Sequence, residues 1–208
     1  SGVGDVNGDG FDDFLIGAYS NDGGGINTGK SYLFFGKNVG WNINTDLSLS
    51  DASFIGEISG DNSGQDVSGV GDVNGDGFDD FLIGADSSDV GGTNVGQNYL
   101  ILGKSSGWSM NTNLSLSNAS FIGESPSDRS GEIISGVGDV NADGFDDFLI
   151  GVKNNDDNGF NKGKSYLILG RSNGWNMDTD LSLSNASFTG EFFSDYSGHS
   201  ISGVGDVN

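Results

Sequence analysis

The chain repeats itself at a fixed distance. The segment SGVGD begins at Ser1, Ser68, Ser135 and Ser202, so the same spacing of 67 residues is kept three times without an insertion. Nothing else in the sequence constrains the fold as strongly, because equivalent units must share one local structure and cover each other's apolar surface. The units are residues 1–67, 68–134 and 135–201, and residues 202–208 open a fourth. Each full unit carries one landmark: GDVNGDGFDDFLIGA at Gly4 to Ala18 and at Gly71 to Ala85, and GDVNADGFDDFLIGV at Gly138 to Val152.

In the first unit, Phe14 to Ala18 is an apolar run too short for a helix and bounded by turn residues, which predicts a strand buried on both faces. Asn21 to Gly25 is a turn cluster, and Lys30 to Gly36 is a second strand, matched by 98–103 and 164–170. A polar connection follows, holding Trp41, Leu47 and Leu49, with Trp108 and Trp175 in the equivalent places. Ala52 to Glu57 predicts a third strand, mirrored at 121–124 and 188–191, and Asp66 to Gly71 a fourth that leads into the next loop. Four short strands per unit make an all-β chain of β-propeller blades, each a four-stranded antiparallel meander. Propellers usually have about four to eight blades, so three need a longer chain or an oligomer to close. The tryptophans are expected to pack between blades, and the strand glycines to lie where strands crowd near a propeller axis.

The acidic loop places oxygen donors at alternate positions, with a glycine after the third and another Asp beyond, which is how a short chain wraps a hard cation. Ca2+ takes roughly six to eight oxygens, and about one ion per repeat is expected. The predicted ligands are Asp5, Asn7, Asp9 and Asp13 with the Phe11 carbonyl; Asp72, Asn74, Asp76 and Asp80 with the Phe78 carbonyl; and Asp139, Asn141, Asp143 and Asp147 with the Phe145 carbonyl. Carboxylates so converged cannot all stay ionised without a cation among them. Asp12, Asp79 and Asp146 are expected to face solvent or to accept hydrogen bonds behind the ligands. An EF-hand is excluded because its twelfth loop position falls on Ile16, and a nonapeptide β-roll because the period is 67.

With 30 acidic against 8 basic residues the net charge is -22, which excludes nucleic acid and anionic lipid as partners. No stretch reaches the roughly 18 to 20 apolar residues of a membrane span, so no membrane insertion is expected, and any export signal lies outside this sequence. There is no Cys, and the one His, His199, has no recurring Ser and Asp partners, so an enzyme is not expected. Weak loop sites fill only where calcium is near millimolar, which favours an extracellular or cell-surface location.

The loop, the KSYLFFG or NYLILG strand after it and the SFIGE segment together resemble the FG-GAP repeat of integrin α-subunits and of large bacterial surface and secreted proteins. The resemblance implies four-stranded propeller blades with one structural Ca2+ in the loop between the first two strands. Ala142 departs from Gly8 and Gly75, and no copy has the Ala-Pro of the family's name. The expected function is a non-enzymatic, calcium-stabilised scaffold for adhesion or for binding protein or glycan. The alternatives are a structural subunit of an extracellular filament or surface layer, whose partner is another copy of itself, and an accessory domain of a secreted enzyme.

Overall fold

A computed structural model describes residues 1–157 and 159–205. It forms three sheets, none of them closed. In the first, β1 (Gly2–Gly4), β2 (Asp13–Ala18), β3 (Lys30–Phe34) and β4 (Ala52–Ile55) are antiparallel neighbours in chain order. In the second, β5 (Ser63–Gly71), β6 (Asp80–Ala85) and β7 (Gln97–Ile101) are followed by β9 (Ala119–Ile122). The third contains β10 (Ile133–Gly138), β11 (Asp147–Val152), β12 (Lys164–Ile168) and β14 (Ala186–Thr189). The molecule is therefore three antiparallel blades of an unclosed propeller. Strands β5 and β10 cross the 67/68 and 134/135 boundaries of the sequence units, so the second and third blades take their first strand partly from the unit before. The expectation that Asp206 and Asn208 begin a fourth loop falls outside the described residues.

The polar connection does more than its composition suggests. Its Leu-Ser-Leu segments form single 3-10 turns at Leu47–Leu49, Leu114–Leu116 and Leu181–Leu183, each capped by an Asp or Asn side chain that accepts from the turn's Ser amide. Just before two of these turns, β8 (Thr112–Asn113) pairs in parallel with Phe54 and Ile55 of β4, and β13 (Thr179–Asp180) pairs likewise with Phe121 and Ile122 of β9. Each of these blades thus borrows a fifth, edge strand from the unit that follows it.

Alternation along the strands builds the core between blades rather than within one. Phe81, Ile83, Ala85, Tyr99 and Ile101 of the middle blade join Val3, Leu15, Leu33 and Phe54 of the first. Leu82, Leu100, Ala119 and Phe121 of the same blade join Phe148, Ile150, Tyr166 and Ile168 of the third. The middle strand β6 is buried along its whole length, as the apolar run predicts, whereas β2 exposes Ile16 because no blade covers its other face.

Trp108 and Trp175 each complete such a joint, while Trp41 lies on the uncovered face of the first blade. Trp108 stacks on Phe81 at 6.2 Å and meets Phe54 edge-on, and Trp175 repeats this on Phe148 at 6.4 Å and Phe121. The indole N–H donates to the carbonyl of the basic residue four positions earlier, whose charged head lies over the ring: Lys37 for Trp41, Lys104 for Trp108, Arg171 for Trp175. Three of the eight basic residues are thus spent on aiming tryptophan rings. The first strands of successive blades touch backbone to backbone. A Cβ on Gly69 would lie 2.7 Å from the Val3 Cα, and one on Gly136 2.8 Å from the Val70 Cα, which bears out crowding as the reason for glycine there.

Candidate metal centre

Every acidic loop is entered through a bulge. The β1–β2 register shifts between Gly2 and Gly4, that of β5–β6 between Gly69 and Gly71, and that of β10–β11 between Gly136 and Gly138. The skipped Val3 and Val70 turn into the core, while Gly4 and Gly71 take left-handed φ of 71° and 73° and aim the next amide sideways.

The first ligand residue organises its own loop. Asp5 Oδ1 accepts from the amides of Gly8 (2.7 Å) and Asp9 (3.0 Å), and its Oδ2 from Gly10 (2.8 Å). Asn7 Oδ1 accepts from the Asp9 amide, Asn7 Nδ2 donates to Asp9 Oδ2, and Asp9 Oδ1 accepts from Phe11. Asp72 and Asp76 make the same bonds with Gly75, Gly77 and Phe78, and Asp139 and Asp143 with Gly144 and Phe145. These bonds hold the Asp139 carboxyl below its ordinary range, the Gly144 amide first among them.

The last ligand of each loop is a different kind of group. Asp13, Asp80 and Asp147 are buried at the base, where Oδ2 accepts from Val6, Val73 and Val140 and Oδ1 from Gly36, Gly103 and Gly170. Burial pushes Asp13 up to about 6 and Asp80 up to about 8, and raises Asp147, against the lowering effect of those amides. The charges of Asp5 and Asp9, of Asp72 and Asp76, and of Asp139 and Asp143 push the same way.

The donor set, carboxylates with an amide oxygen and a peptide carbonyl, suits a hard cation, and a carboxylate oxygen that accepts one amide keeps a second lone pair. The arrangement is not a closed shell: among the described residues no three Asp, Glu, His or Cys side chains are grouped closely enough to hold a metal. The predicted ligands share a loop, with Asp13, Asp80 and Asp147 at its base and the first three of each set on its rim.

The residue between the last two ligands accepts a hydrogen bond, as expected, but from the loop of the preceding blade. Asp79 Oδ2 accepts from the Asp5 amide of the preceding loop at 2.8 Å, and the Asp79 amide donates back to the Asp5 carbonyl at 3.2 Å. Asp146 makes the same pair with Asp72, at 3.0 and 3.1 Å. The rings follow: a Cβ on Gly8 would lie 2.6 Å from Phe78, and one on Gly75 2.6 Å from Phe145. The first loop is therefore clasped by the second, and the second by the third. The signal was an Asp present in every copy at a non-ligand position, but its partner lies 74 residues away and period alone cannot name it.

A second acidic group lies at the other end of the first joint. Asp61, 3% exposed, accepts from the Ile58 amide, and burial pushes it up to about 6, with Glu57 and Asp89 adding to the rise. In the same joint Tyr99 donates its hydroxyl to Gln97 Oε1, and Gln97 Nε2 donates to Asp178 at 2.9 Å. In the second joint Lys164 stands in the place of Gln97 and pairs with Glu124 at 2.8 Å. The first joint has the acids without that cation.

Stacked four-stranded blades, each entered through an acidic loop and joined loop to loop by the clasping Asp79 and Asp146, define a tandem β-propeller-type repeat protein. The FG-GAP repeat is matched at residues 1–34, 63–101 and 131–168, over half of the sequence, and the chain belongs to that family. No curated protein matches the sequence. Among the described residues no helix is long and apolar enough to cross a membrane.

Proposed function

We propose that the chain is a calcium-stabilised extracellular scaffold without enzymatic activity, which holds blades rigid for adhesion or for binding protein or glycan. The observation that carries this reading is the buried carboxylate at the base of each loop. Asp13, Asp80 and Asp147 are desolvated beside two further acids, and a dication there would supply the charge that lets them ionise. Asp5, Asn7, Asp9, Asp13 and the Phe11 carbonyl would hold one ion, and their equivalents in the other two loops one each. In each loop the donors join the strand-entry bulge to the following strand, so the ion fastens a blade where its neighbour grips it. Membership of a family common in extracellular proteins supports the location.

Calcium titration of the apo chain, followed by melting temperature and protease resistance, tests the reading. At a calcium concentration of 100 times Kd each filled site adds about 2.7 kcal/mol of stability. Asp80→Asn is expected to remove the middle site's share while the outer two persist. An unchanged melting temperature from chelator to millimolar calcium would refute the calcium reading and leave the fold untouched.

A further inference from the structure

The first and second blades meet through the same backbone contacts as the second and third. Ser63, entering the second blade, bridges to Gly29, and its amide donates to the Thr28 carbonyl at 3.1 Å. Ser130, entering the third, bridges to Gly96, and its amide donates to the Val95 carbonyl at 3.0 Å. On the neighbouring strand Ser31 stands opposite Phe54, and Asn98 takes the same place opposite Phe121. The side chains at that place differ, and with them the way the blades are linked. In the second joint Asn98 Nδ2 donates to Ser130 Oγ at 2.7 Å and to the Phe121 carbonyl at 3.4 Å, with both side chains fully buried. The amide is a direct polar link from one blade to the next.

The first joint keeps the hydroxyls without the amide. Ser31 Oγ and Ser63 Oγ are both buried, and neither has a hydrogen-bond partner among the described residues. A polar atom buried in that way is costly, and here two lie at one contact. Gly64 keeps the approach to Ser31 clear, since a Cβ there would come to 2.8 Å from its hydroxyl. Asparagine exceeds serine by roughly the volume of one water molecule. We infer that the first joint binds one internal water molecule at this point, bridging Ser31 Oγ, Ser63 Oγ and the Phe54 carbonyl, which corresponds to that of Phe121. Each hydroxyl offers a donor and two acceptor sites, and three partners are the usual number for an internal water. The water carries across the first joint the polar link that Asn98 carries across the second. The inference rests on the blade packing and not on the calcium reading, since neither serine belongs to an acidic loop.

Two substitutions at Ser31 separate a bridged contact from a dry one. With the water bound, Ser31→Ala removes one of its three partners, and the folding equilibrium constant falls by about fivefold to tenfold. In a dry contact the same change removes an unpartnered polar atom, and the constant rises instead. Ser31→Asn copies the second joint. Its amide reaches Ser63 directly, displaces the water and holds the constant at or above the wild-type value.

A high-resolution crystal structure of the wild type, together with urea unfolding of the wild type and both variants, tests the site. The structure is expected to show a water within about 3.2 Å of both Ser31 Oγ and Ser63 Oγ. In a structure of Ser31→Asn the amide nitrogen is expected in its place, and Ser31→Ala is expected to unfold at lower urea than the wild type. The wild-type structure and the sign of the alanine change decide the matter even where the asparagine variant does not fold. Serine hydroxyls that bond each other or the main chain with no water between them, or a Ser31→Ala chain at least as stable as the wild type, would each overturn the inference.

Discussion

The buried acid in the first joint makes the stability of that joint depend on pH in a direction that can be computed. Asp61 has an ordinary value of 3.8 and stands at about 6 in the fold. A folded-state value above the unfolded one means that the native state holds the proton more tightly. The stability this confers is complete below pH 3.8 and is lost as pH rises through 6. At about 1.4 kcal/mol for each tenfold change in proton affinity, ionising Asp61 in place costs about 3 kcal/mol. Asp61→Asn keeps a carbonyl oxygen for the Ile58 amide and removes the titration. The variant should match the wild type near pH 4 and exceed it by up to about 3 kcal/mol at pH 7.5. Urea unfolding followed by tryptophan fluorescence at both pH values, at one fixed calcium concentration, measures the difference, because the loops titrate identically in the two proteins. A difference that does not change with pH refutes the linkage. Gln97→Lys, which copies Lys164 into the first joint, should flatten the same pH dependence by pairing with Glu57.

Other positions separate contact from conformation. Gly71→Ala drives a Cβ to 2.0 Å from the Asp146 carboxylate, while Gly138→Ala meets nothing within 4 Å at the same positive φ. The second should lose only the roughly 1 to 2 kcal/mol of a left-handed alanine, and the first clearly more, in parallel urea titrations. Trp108→Ala opens a joint and should cost about 3 to 5 kcal/mol, while Trp41→Ala, on the uncovered face, should leave the unfolding midpoint of the monomer nearly unchanged.

Much of the architecture was legible because the repeat compares the chain with itself. A run such as Phe81 to Ala85, bounded by turns and repeated at one spacing, has few structures open to it, and the four meander strands and the inter-blade tryptophans follow from it. The parallel pairs of β8 and β13 were not legible, since two polar residues leave no hydrophobic period to read. The clasp of Asp79 on Asp5 was hidden for another reason: a carboxylate that caps a remote amide has the same local sequence as one in water. The difference between Gln97 and Lys164 was visible as letters, yet its meaning depends on Glu57 and Asp61 arriving from the preceding unit. Burial of Asp13, Asp80 and Asp147 under two backbone amides each likewise needed the fold, although their places in the loop were named by spacing alone.

The clasp between neighbouring loops also bears on how a gene for such a chain changes length. Loss of residues 68–134 by recombination between repeats would place Phe148, Ile150, Tyr166 and Trp175 against Leu15, Leu33 and Phe54, with Asp146 reaching the Asp5 amide. That is the original joint remade from equivalent residues, with Lys164 arriving opposite Glu57 as a gain. A deletion that is not a whole number of repeats would move the clasping Asp off its amide, and an odd shift within a strand would turn its core residues outward. Descendants of the gene can therefore differ by whole blades while every member folds through the same contacts, so blade number is open to selection independently of the stability of any one blade.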